Sequence, residues 1–209
     1  MTTTVGGSRV RSADGVEIAY VRRVGQGTVP LVLVHGTSAH AGWWEHLLPE
    51  LPEHYAVVAV DLAGHGDSGR RSGYELDTWA ADVLAVVHEL FDRPAVLVGH
   101  SIGGLVTANA AVLDPAAVAA VVLVDSIVTD PADVGPDGVA SGSAPGSAPG
   151  SAPPWRPPSA ARVFADLEEV AGRFRLTPPQ PDADPVILRR IAEGRCARSR
   201  AAGRGRSIR

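Results

Sequence analysis

The chain has 209 residues, and its 45% hydrophobic and 20% charged side chains exclude disorder over most of its length. A formal net charge of -4 argues against nucleic-acid binding driven by global charge. The single cysteine, Cys196, excludes an internal disulfide framework and a cysteine-rich zinc site. Met1 to Ser12 is polar, carries Arg9 and Arg11 and contains no apolar stretch of the secretory kind, so the expected location is cytoplasmic. No apolar run approaches membrane-spanning length; the longest clear one is Val118 to Val124.

Taken in chain order, Val16 to Val24 alternates apolar and polar residues and predicts an early antiparallel strand. Pro30 to His35 and Tyr55 to Val60 are continuous apolar runs, as strands covered on both faces should be. Trp43 to Leu48 predicts a short helix. Leu76, Trp79, Val83, Val86, Val87 and Leu90 recur at helical spacing, giving a helix over Leu76 to Phe91 with Asp77 as its N-cap. Ala95 to Val98 is a third buried strand, Ile102 to Leu113 an Ala-rich helix, and Val118 to Val124 a fourth buried strand. This alternation predicts an α/β fold: three layers, a mostly parallel sheet with helices on both faces. Sites in such sheets lie at the carboxyl ends of the strands.

Two stretches differ from the rest. Residues 130–159 hold three successive GSAP units and then PPWRPP, a Gly- and Pro-dense composition that predicts a linker or long surface loop. All 19 basic side chains of the chain are Arg, and six of them lie between Arg195 and Arg209, where there is no acid. The expected division is therefore a core in 1–129, a linker in 130–159, a helical segment in 160–194 and an Arg-rich tail in 195–209.

Three motifs follow three of the strands. Gly99-His100-Ser101-Ile102-Gly103 fits G-x-S-x-G between a buried strand and a helix. Ser101 is thereby a candidate nucleophile at a helix N-terminus, where free N–H groups favour negative charge; a Ser between glycines that only makes a tight turn is the plainer alternative. His35-Gly36-Thr37 follows the first buried strand: Gly36 lets backbone approach, and the N–H groups of Thr37 and Ile102 would form an oxyanion hole. His35 reads as a residue that pins the loop. Asp61 to Ser68 (DLAGHGDS) is a Gly-rich turn in which Asp61 and His65 shape the rim; the chain has no Lys, so a Walker-type phosphate loop is set aside.

The set HGT, DLAGHGDSG and GHSIGG, in that order and spacing, resembles the α/β-hydrolase fold superfamily over about residues 10 to 126. The resemblance implies a serine hydrolase of the capped, esterase-like type. Ser101 would attack an ester or related carbonyl, water would release the acyl group, and neither cofactor nor metal would take part. The expected partner is a small-molecule substrate, with no nucleic acid and no membrane. A Ser rather than an Asp at position 101 sets the haloalkane dehalogenase and epoxide hydrolase branches aside. The segment from Ala160 to Ala192 resembles the start of the cap that such enzymes insert. Trp43 and Trp44, with Gly36, are candidates to line an acyl pocket, and core packing accounts for the two Trp equally well.

The family's triad order is Ser, acid, His. All seven His of this chain lie at or before His100, so none stands where the base belongs. Asp125, at the carboxyl end of the Val118 to Val124 strand, is a candidate acid; capping the strand end is the alternative. The sheet is expected to be incomplete, its last strands missing, which would leave an apolar edge prone to association. Read one base out of frame with permitted codons, residues 195 to 209 can give AVRAVAGGWAWSFDP, and capped members of the family carry a GGW-x-W-x-FD-like stretch soon after this point. The tail is accordingly expected to be out of frame. The alternatives to a hydrolase are a non-catalytic pseudoenzyme or ligand-binding protein and, less favoured, a scaffold or nucleic-acid binder using the Arg tail.

Overall fold

The computed structural model describes residues 5–23, 25, 27–126, 167–174 and 180–197. Six strands form one sheet, β1 (Val5–Arg11), β2 (Glu17–Arg23), β3 (Val29–Val34), β4 (Tyr55–Val60), β5 (Ala95–His100) and β6 (Val118–Val124), in the spatial order β1-β2-β4-β3-β5-β6. β1 and β2 are an antiparallel hairpin, and β2 lies antiparallel on β4. The β4-β3-β5-β6 pairs are parallel, so the carboxyl ends of β3, β5 and β6 share one edge of the sheet. The order reverses between β4 and β5, with β3 between them, and a doubly wound sheet opens its site beside such a reversal.

Side-chain alternation divides the core into two layers. Val32 and Val34 of β3, with Val58 and Val60 of β4, face α1 (Leu76–Leu90) and α2 (Ile102–Leu113) through Trp79, Val83, Val87, Val106 and Ala110. Leu31, Leu33, Val57 and Ala59 point the other way, toward Ala41 and Leu48. That second face is covered by a 3-10 helix at Ala41–Trp44 and the turns after it, where the sequence predicts a short helix over Trp43 to Leu48. α1 is capped by Glu75 rather than Asp77: the Thr78 hydroxyl accepts from the Glu75 N–H at 3.2 Å, and Asp77, inside the first turn, accepts from Asn109 Nδ2 at 2.8 Å. The strand β1 was not legible, since its Gly6-Gly7 pair breaks the period of two.

Arg71 ties the hairpin to α1. Its guanidinium donates to both oxygens of Asp82 at 2.6 Å and to Asp14 at 2.5 and 2.9 Å. Asp82 is fully buried, and burial pushes its carboxyl up while the Arg71 fork pulls it down. The exposed Asp14 is held well below the usual carboxylate range by its bonds from Arg71 and Ser12.

β6 departs from expectation. It is a strand over the predicted residues, yet it is not buried: Val122, Leu123 and Val124 are 46%, 39% and 39% exposed. Its pairing partner is β5 on one side only, and among the described residues no strand pairs with the other side. An apolar edge of the expected kind is therefore present. α3 (Leu167–Arg173) and α4 (Pro185–Ala197) pack on each other, and α4 rests on the 3-10 helix through the buried Ile191 and Ala192. α4 runs through residue 194, so no element boundary falls at the start of the tail. The linker in 130–159, residues 160–166 and 198–209 lie outside the described residues.

Candidate active site

Three non-glycine residues among those described hold a positive φ: Ser38 at 60°, Ser101 at 53° and Asp125 at 48°. They follow β3, β5 and β6, all on the carboxyl edge of the sheet. Left-handed backbone at non-glycine residues costs roughly 1–3 kcal/mol each and persists only where surroundings hold it, which marks this edge as the candidate site.

Ser101, with φ 53° and ψ -120°, is the hinge between β5 and α2. Its glycines are required by space. A Cβ on Gly99 would lie 2.2 Å from the carbonyl oxygen of Gly103, and one on Gly103 would lie 2.5 Å from the carbonyl oxygens of Val34 and His35. Helix α2 thus starts hard against β3 and β5. The elbow is also tied to β6: the Ser101 N–H donates to Val124 O at 3.0 Å, and the Ser126 hydroxyl donates to Ser101 O at 3.0 Å. Ser101 itself is half-buried.

Gly36 faces the elbow directly; a Cβ there would lie 3.1 Å from Ser101 Cβ and 2.8 Å from His100 Nδ1. Thr37, next in the chain, is exposed. Among the described residues, the N–H groups of Thr37 and Ile102 donate to no protein acceptor. His35 anchors this loop from below. It accepts from the Leu62 N–H at its Nε2 (3.0 Å), which puts its proton on Nδ1, donated to Gly36 O at 2.7 Å. Burial, reinforced by the neighbouring His65, holds its imidazole down at about 3, so it is neutral at physiological pH and cannot serve as a base.

Asp61 shapes the rim, as its sequence context suggests. One carboxylate oxygen accepts from Ala41 N–H (2.6 Å) and the other from Asp67 N–H (2.9 Å), linking the loops after β3 and β4. His65 is buried between the His35 and Trp79 rings. Asp125 stands at the end of β6 with its side chain 91% exposed, and His100 Nε2 lies 3.9 Å from its Oδ2. The two Trp separate in role. Trp44 packs on the core layer of Leu31 and Leu33, while Trp43 meets Phe174 across 6.2 Å between ring centres. The structure thus brings Ser101, Gly36, His100 and Asp125 together and leaves Trp44 in the core.

Comparison with known proteins gives the family and the fold. The model of the "Alpha/beta hydrolase family" matches residues 31–204. The chain belongs to the alpha/beta hydrolase family. It is 38% identical over 135 residues to a non-heme chloroperoxidase of Streptomyces lividans, covering 62% of this chain and 49% of that protein. It is 40% identical over 93 residues to a pimeloyl-[acyl-carrier protein] methyl ester esterase of Methylococcus capsulatus, covering 44% of this chain and 35% of that one. The crystal structure of an E-2-(acetamidomethylene)succinate hydrolase superposes with a TM-score of 0.67 at 24% identity, covering 91% of this chain and 64% of that chain, a likeness of fold. The chain spans about half the length, or less, of the curated relatives it matches.

Sequence reading missed Ser126, which fastens the elbow to β6, and the approach of His100 to within 3.9 Å of Asp125. Position gives the signal for both: residues just past the ends of neighbouring parallel strands meet at one edge.

Proposed function

We propose that this family member acts on an ester or related carbonyl compound through Ser101. The Ser101 hydroxyl attacks the carbonyl carbon, and the negative charge that develops on the carbonyl oxygen is held by the N–H groups of Thr37 and Ile102 at the start of α2. The C–O bond to the alcohol breaks and the alcohol leaves with the proton given up by Ser101; water then cleaves the acyl-serine to the free acid and restores the hydroxyl. One such N–H donor contributes about a hundred- to a thousand-fold in rate. The observation that carries this reading is the strained φ of Ser101 at a strand-to-helix turn packed too tightly for side chains at Gly99 and Gly103. Relatives named as a methyl ester esterase and a lipase support the ester as substrate class.

The 209 residues contain no His after Ser101, and His35 is neutral and committed to two bonds. Loss of the base typically costs about a million-fold in turnover, so ester hydrolysis by this polypeptide is expected to be slight. Asp125 is the acid available in the described part of the site, the α3–α4 pair is the beginning of a cap, and residues 195–209 are out of frame, a point the gene's codons decide. The alternative reading is a pocket that binds its ligand without turning it over.

A fluorophosphonate separates the two, because its adduct on Ser101 does not turn over, so even attack slowed by the lack of a base accumulates as label on long incubation. The hydrolase reading expects one phosphonyl group per folded chain and none on Ser101→Ala. Equal labelling of both proteins, or none of either, would leave the binding reading in its place.

A further inference from the structure

We propose that His40 is a positioning residue: in its neutral form it ties α4 to the loop that carries Thr37, and protonation releases that tie. The proposal rests on the reading of Ser101 as nucleophile with the Thr37 N–H as its oxyanion donor, and deepens it by naming what holds that donor in place.

His40 is buried, 3% exposed, and stands three residues after Thr37 as the N-cap of the 3-10 helix. Its Nδ1 accepts from the Gly42 N–H at 3.1 Å. The proton is therefore on Nε2, which faces the carbonyl oxygen of Ile191 in α4 at 3.1 Å. A carbonyl oxygen only accepts, so the two partners together select the neutral Nε2–H tautomer. The ring lies flush on the backbone, since a Cβ on Gly42 would sit 2.6 Å from His40 Cε1. Ile191 and Ala192, on either side of that carbonyl, are themselves buried, and the Trp43–Phe174 ring contact ties the same stretch to the end of α3.

The other side of the 3-10 helix is fixed to the core. Asp61 accepts from Ala41 N–H at 2.6 Å, and Ala39 N–H donates back to Gly36 O at 3.2 Å, closing the loop that contains Thr37 and Ser38. His40 is thus the link through which the seating of α4 acts on the Thr37 N–H. Protonation puts a second N–H on the ring, directed at the Gly42 N–H. Two donors then face each other out of water, beside a buried charge, and the arrangement has to open. Among the described residues, the titratable groups around the ring include Asp61 on the loop after β4, His35 at the end of β3 and Glu45 at the end of the 3-10 helix. On α4 the flanking charges are Arg190 and Arg189, the latter paired with Glu168 of α3.

Two substitutions separate the parts. His40→Asn keeps a short acceptor for the Gly42 N–H but cannot reach Ile191. His40→Gln reaches the Ile191 carbonyl with an N–H that does not titrate. Hydrogen exchange of the full chain, corrected for intrinsic rates, is read in α4 at pH 8 and pH 5.5, with β3 and β5 as the reference for global opening. The wild type is expected to lose about tenfold in α4 protection at the lower pH while β3 and β5 keep theirs. His40→Asn should be unprotected in α4 at both pH values, and its Ser101 should react several-fold more slowly with a fluorophosphonate at pH 8. His40→Gln should lose the pH dependence. Wild-type α4 protection that ignores pH, that falls only together with β3 and β5, or that survives in His40→Asn would overturn the proposal. If wild-type Ser101 does not react at all, the functional reading fails, and exchange in α4 still decides the role of His40.

Discussion

β3 and β6 are read from the same kind of sequence and end in opposite surroundings. PLVLV in β3 is buried to 5% exposure or less from Leu31 to Val34, with strands on both sides and a packed layer on each face. VAAVVLV in β6 has β5 on one side, and its last three residues are more than a third exposed. An apolar run states only that a strand is made to be covered; its place in the sheet decides whether the described chain covers it. The candidate site lies between these two regions. Gly36 comes from the closed side, Asp125 and Ser126 from the open side, and Ser101 is bonded to the open side through Val124 O.

The largest test of that contrast is truncation of a leucine in each environment. Leu97→Ala, in the fully buried face of β5, is expected to cost about 2–5 kcal/mol, and Leu123→Ala on β6 less than about 1 kcal/mol, by urea unfolding. Equal costs would mean that β6 is covered in solution. Gly103→Ala comes next. Its methyl group would meet two backbone oxygens at 2.5 Å, so about 1–3 kcal/mol of stability is expected to be lost, with reaction at Ser101 falling further because the elbow moves.

The closed side also carries a pH signature. His35 is held at about 3 when folded against 6.5 when free, so the unfolded chain binds the extra proton between those values. Stability is then lost as pH falls from about 6.5 towards 3, by up to about 1.4 kcal/mol per pH unit. Urea midpoints across that range should fall accordingly, and His35→Gln should flatten the slope. The smallest effect on stability belongs to the edge: Val122→Lys, within about 0.5 kcal/mol of wild type. It should nevertheless reduce self-association in sedimentation, since a charge on an exposed edge opposes strand pairing between copies.

Much of this was legible in the sequence because it is local. The β5–α2 turn needs glycine on both sides of Ser101, and G-x-S-x-G says so. The runs at β3, β4 and β5 are unbroken because both faces are covered. The Ile102 to Leu113 helix falls where its pattern puts it. What sequence could not give depends on partners far along the chain. Glu75 caps α1 because Thr78 reaches back to it, although Asp77 has the better capping side chain. The exposure of β6 depends on which strands lie beside it, and the tie between His40 and Ile191 spans 151 positions. The separation of Trp43 from Trp44 likewise depends on where α3 ends.

The most direct measurement is the site and fold dependence of fluorophosphonate reaction, read by peptide mapping of chain labelled in buffer and in unfolding urea. The account predicts phosphonylation confined to Ser101 and lost in the same urea range in which the core unfolds, because only the folded elbow presents that hydroxyl beside the N–H groups that hold the developing negative charge. Label spread over several serines, or label on Ser101 that persists in the unfolded chain, would contradict it.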